Sequence, residues 1–184
     1  MSRSESRKFG LLDAMILVAT TAFGCGLAKW SGIVPFEFHG LEKIPIAKRY
    51  VWVALANAKY PGAPLLVSWT LGLFLARMRS PRPTRTRLFR EPGVVATSTA
   101  TLAIIAESVW LVGASLREGR IMLYSAFAGW RHFCAFAVAG GWLTLALSGR
   151  WRNSPNWIDR AGRLVGATWI GLVICDWIYY LFIQ

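Results

Sequence analysis

The chain has 184 residues, of which 55% are hydrophobic and only 16% charged, with a formal net charge of +12. That balance is too apolar and too sparsely charged for a water-soluble domain of this length. The basic residues stand at the ends of apolar runs, where membrane topology places them, so the charge indicates no nucleic-acid partner. A spanning helix needs about 20 mostly apolar residues, so the length admits four to six spans and leaves no room for a separate soluble domain.

In chain order, residues 1–10 are polar and basic, and a first span follows over residues 11–27. A signal peptide is the rival reading, with Arg3, Arg7 and Lys8 as its basic region and Gly26-Leu27-Ala28 as a loose cleavage site. Asp13 interrupts the apolar stretch, and the run is long for a signal, so a retained span is expected. Asp13 then reads as a helix-start residue, favoured by the dipole. Residues 30–60 form the longest connection. Ser31, Gly32, Pro35, Gly40 and Pro45 break its first half, while residues 46–60 read as a helix lying in the membrane interface or as a lengthening of the second span.

The second span covers residues 61–77 and ends in Arg77-Met78-Arg79. Pro81 and Pro83 stop the helix, and Pro92 suits the first turn of the next. The third span, 93–115, holds Glu107. A polar turn at Arg117-Glu118-Gly119-Arg120 leads to the fourth, 126–148, whose start is blurred by Arg131 and His132. Residues 149–163 are polar and basic, and the fifth span runs over 164–182. The expected fold is all-α: one polytopic transmembrane helix bundle over 1–184, with about five spans and one interfacial helix.

Three basic segments set the orientation. The N-terminus carries three Lys or Arg residues, the loop after span two carries six (Arg77, Arg79, Arg82, Arg85, Arg87, Arg90), and the loop after span four carries four (Arg150, Arg152, Arg160, Arg163). Five spans place all thirteen on one side, against eight on the other. The positive-inside rule then gives a cytoplasmic N-terminus and an outside C-terminus. The arginine-rich loop from Arg77 to Arg90, with Leu88 and Phe89, is a candidate contact for anionic headgroups.

Few residues are candidates for chemistry. Glu107 lies fifteen residues past Pro92, ~22 Å along the helix and inside a hydrocarbon core of ~30 Å. An acid there must be neutral, paired or functional. Ala96, Ala100, Ala103 and Ala114 share its face, and small residues permit close packing. The leading reading is an interhelical hydrogen bond from a protonated carboxyl; the rival is a proton or cation site. Asp176 reaches a similar depth in span five and is expected near the outer interface, in reach of water. Arg131 is expected to snorkel outward, with inward pairing to Glu107 or Asp176 as the alternative. His132 and His39 are the only histidines and stand on separate segments, so no metal site is expected. Cys25, Cys134 and Cys175 read as small buried hydrophobes. Gly162 and Gly166 have the spacing of a close-packing motif. No nucleophile has a base at helical spacing, no cofactor motif is present, and no catalytic residue is assigned.

The segments LLDAMILVATTAFG and ARMRSPRPTRTRLFREPG resemble those of small uncharacterised bacterial multi-span membrane proteins. The resemblance covers the first half of the chain. It implies a bacterial inner membrane and brings no functional residues. The function expected is that of a non-catalytic structural or assembly component, with a homo-oligomer or another membrane protein as partner. The alternative is a small proton- or cation-coupled transporter or channel subunit using Glu107 and Asp176.

Overall fold

A computed structural model of the chain describes residues 10–30, 62–78, 90–118, 123–152 and 156–183. They form five α-helices: α1 (Leu11–Trp30), α2 (Gly62–Met78), α3 (Pro92–Glu118), α4 (Leu123–Leu147) and α5 (Trp157–Ile183). No strand occurs among the described residues. The expected interfacial helix at 46–60 lies outside them, as do Arg79, Arg82, Arg85 and Arg87.

The protein is an all-α polytopic membrane bundle. Leu11–Trp30, Pro92–Arg117 and Trp157–Ile178 are long and apolar enough to cross a membrane, while Gly62–Met78 is a shorter apolar helix. The outward faces match that solvent. Leu102, Ile105, Val109 and Trp110 of α3, Phe133 and Phe136 of α4, and Ile174 and Trp177 of α5 are all exposed. A belt of this kind would drive aggregation in water but is the ordinary surface toward lipid.

Local signals set the helix starts. Gly10 precedes α1, and the Asp13 carboxylate reaches back to the Gly10 amide at 3.1 Å, as a third-position acid does in a capping box. Pro92 occupies the first position of α3, where its missing N–H costs nothing. Asn156 begins α5, its side-chain oxygen accepting from Ile158 N at 3.2 Å.

The packing contacts fix the directions. Gly24 of α1 lies against Leu65 and Ser68, and Thr20 lies against Gly72, so α1 runs antiparallel to α2. Trp69 Nε1 adds a hydrogen bond to Thr21 Oγ1 at 2.9 Å. Helix α4 runs antiparallel to α3, with Cys134 against Ala100 and Trp142 against Pro92. Helix α5 runs parallel to α3. A side chain at Gly93 would strike the Asp159 backbone, one at Gly162 would strike the Gly93 carbonyl, and Gly166 abuts Ala96 and Val138. Both glycines of the 162/166 pair therefore lie at helix contacts: Gly162 meets the α3 backbone, where only a missing Cβ permits the approach, and Gly166 meets side chains of α3 and α4.

The core is drawn from α2 to α5: Leu66, Val67, Leu73, Ala96, Ala100, Ile104, Cys134, Val138, Val165 and Trp169. Trp169 is fully buried and donates through Nε1 to Thr70 Oγ1 at 3.0 Å, which satisfies the indole where no water reaches it. Helix α1 packs chiefly on α2 and contributes Ile16 and Leu17 at the core's edge. Cys134 is buried as expected of a small hydrophobe, whereas Cys25 is exposed on α1 and Cys175 is half-buried.

Candidate functional site

Glu107 and Asp176 stand at one level. Glu107 lies 14 residues past Gly93, and Asp176 lies 14 residues past Gly162. Because those glycines touch and the two helices are parallel, both carboxyls sit ~21 Å along from the crossing.

Asp176 is 3% exposed, and its Oδ2 lies 3.1 Å from Nη1 of Arg131, which is 4% exposed. Neither residue reaches outward as expected. Arg131 does not snorkel because α4 begins at Leu123, which leaves eight residues, ~12 Å of helix, between Arg131 and that end. An inward turn supplies a counter-charge instead. Asp176 likewise bonds to a neighbouring helix rather than to water. His132 is the one member of the group with a substantially open side chain, 42% exposed, and its Nε2 lies 3.9 Å from the same Asp176 oxygen.

Glu107 is 8% exposed. Ala96 and Ala100, expected on its face, are buried, and Ala103 packs at the core's edge. Its carboxyl occupies the space that a side chain at Gly129 of α4 would fill. Among the described residues no hydrogen bond or ion pair reaches it, so the interhelical hydrogen bond expected from sequence is not among those found.

A second polar cluster, which the sequence reading did not single out, lies at the other end of α3. Asp159 is fully buried. It stands in the first turn of α5, yet its Oδ1 accepts from Gly93 N of α3 at 2.7 Å, while Oδ2 lies 3.4 Å from Arg163 Nε. Gly93 N is one of the amides that a helix start leaves without an internal partner, and α5 caps α3 in trans. Nearby, Arg77 Nη2 and Glu91 Oε2 are 2.6 Å apart, and Trp142 Nε1 donates to the Pro92 carbonyl at 2.8 Å. Local spacing held no signal for this cap, because Asp159 and Gly93 are 66 positions apart.

Among the described residues no three His, Cys, Asp or Glu side chains gather as metal ligands would. Arg131, His132, Asp176 and Glu107 offer a buried ion pair, a half-open imidazole and a second buried carboxyl at one depth. That arrangement can bind helices together or hold a proton. Comparison of the chain with protein-family models, with curated proteins and with solved structures finds no match.

Proposed function

We propose that this chain is a small multi-span protein of a bacterial inner membrane that acts as a non-catalytic structural or assembly component. One observation carries the reading: several of the buried and half-buried polar groups, Glu107 not among them, bond from one helix to the next. Asp176 binds Arg131 of α4, Asp159 binds the start of α3, Trp169 binds Thr70 of α2 and Trp142 binds Pro92 of α3. Groups used in this way fix the bundle and are not available to line a route across it. The partner is a second copy or another membrane protein. Cross-linking followed by a detergent pull-down from native membranes tests this. A stable complex is expected, and recovery solely as a monomer contradicts it.

The proposed orientation is N-terminus cytoplasmic and C-terminus outside. The basic-residue count supports it, and so does the hydrogen bond from Arg152 N to the Arg90 carbonyl at 3.0 Å, which draws the α2–α3 and α4–α5 connections to one end. Reporter fusions after Arg87, after Glu118 and at Gln184 test it, and a cytoplasmic C-terminus refutes it.

A second reading, a proton- or cation-coupled transporter or channel subunit, is favoured by Glu107. Its carboxyl is buried, and no described residue bonds to it. Flux through proteoliposomes separates the two readings.

A further inference from the structure

The chain leaving α4 is aimed by its backbone. Gly149 N donates to the Ala146 carbonyl and Arg150 N to the Leu145 carbonyl, both at 3.1 Å, the bond pair of a Schellman turn. Gly149 has φ +63°, the left-handed conformation that glycine adopts without steric cost. Arg150-Trp151-Arg152 then crosses to the start of α3, where Arg152 N meets the Arg90 carbonyl at 3.0 Å. Trp151 packs edge-on against Trp142, with ring centroids 5.9 Å apart, and Trp142 is anchored on the Pro92 carbonyl. Arg90, Arg150 and Arg152 are thereby gathered, exposed, at one end of the bundle.

The described acids at this end, Asp13, Glu91 and Asp159, are already engaged, Asp13 by the Gly10 amide. Glu91 is held by Arg77, and Asp159 by Gly93 N and Arg163. The guanidinium groups of Arg90, Arg150 and Arg152 form no ion pair among the described residues, so the patch presents uncompensated positive charge. It borders the apolar belt: Trp151 is 41% exposed, and Leu147, in the last turn of α4, is 80% exposed.

We propose that Arg90, Arg150, Arg152 and Trp151 form a headgroup site for an anionic phospholipid. A guanidinium presents donors in a planar fork that matches phosphate oxygens. An indole belongs at headgroup depth, with its apolar body toward the chains. The outer face of α4 from Leu147 to Leu143, both exposed, receives an acyl chain. That apolar continuation favours a lipid over a free phosphate. The site is independent of the assembly reading, because it requires no protein partner and is compatible with transport.

The test is native mass spectrometry of the full chain in detergent, titrated with phosphatidylglycerol, with phosphatidylcholine of the same acyl chains, and with inorganic phosphate. Each arginine at an anionic headgroup contributes about a factor of five. Arg90→Gln with Arg152→Gln should therefore weaken phosphatidylglycerol binding about 30-fold. Arg117→Gln, which removes an exposed arginine at the far end of α3, should leave it unchanged. Circular dichroism checks that the helices persist. The pair Arg90→Lys and Arg152→Lys keeps the charge without the fork, and should bind more weakly than the natural chain but more tightly than the Gln pair. If the Gln pair loses helicity, the Lys pair decides: affinity equal to the natural chain overturns the site. Equal binding of phosphatidylcholine, no loss in a folded Gln pair, or an equal loss in Arg117→Gln also overturns it. Displacement of the lipid by inorganic phosphate at matching concentration overturns the lipid assignment in favour of free phosphate.

Discussion

Asp176 and Glu107 are carboxyls at the same level of two parallel helices, and the bundle treats them differently. Asp176 has a cation on the adjacent α4, 3.1 Å away and as deeply buried as itself. Glu107 has the bare backbone of Gly129. A charged carboxylate in hydrocarbon is costly without a partner, so the first residue is held as half of an ion pair, while the second is accommodated by space. The difference shows that depth along a helix does not decide a polar residue's role. What faces it from the next helix does.

The largest effect is expected at the ion pair. Arg131→Leu or Asp176→Leu alone leaves a buried charge without its counter-charge and should cost about 3–5 kcal/mol, read as a drop in thermal unfolding temperature in detergent. The double replacement should recover most of that loss, since apolar side chains of similar volume often replace a buried pair without penalty. A double-mutant cycle with additive effects would show that the two groups do not depend on each other.

The trans cap should give a smaller effect. Asp159→Ala removes the acceptor for Gly93 N and should cost about 1–2 kcal/mol. Asp159→Asn keeps an acceptor oxygen and should cost less. The ranking of these two variants in a denaturation series checks the cap, and equal losses would point to the contact with Arg163 instead.

On the Glu107 side, Gly129→Ala should destabilise by about 1 kcal/mol, the low end for overpacking, because the carboxyl lies at the end of a flexible side chain. In a Glu107→Ala background the same change should be nearly neutral, because the occupied space is vacated. Persistence of the full effect there would mean that Glu107 is not what fills the site.

Much of the architecture was legible from residue pattern. The apolar runs located the five helices, Pro92 marked the start of α3, and the alanines at 96 and 100 identified its buried face. Glycine spacing at 162 and 166 flagged a crossing that the structure places between α5 and α3. The partners of polar groups were less legible: the pairing of Arg131 with Asp176 was only the alternative reading, and the Asp159 cap was not read at all. Arg131 and Asp176 are 45 positions apart, and Asp159 caps a helix 66 positions upstream. Spacing gives the depth and face of a residue on its own helix, but not the rotation of the helix opposite. Arg131 was expected to snorkel for that reason: its position suggested a route to the surface, and nothing local decided between that route and the inward pairing with Glu107 or Asp176 held as the alternative.

Under the proposed assembly role, the polar interior of this bundle serves adhesion and not passage. Glu107→Gln tests it most directly, because Gln keeps the size of the side chain but cannot ionise. Proton and cation flux should be measured in proteoliposomes carrying the natural chain or this variant, with thermal unfolding recorded in parallel. For the assembly role, no flux above empty vesicles is expected from either protein, and the unfolding temperature should be unchanged. Flux in the natural chain that vanishes in Glu107→Gln, with stability unaltered, would contradict it and establish Glu107 as a transport residue.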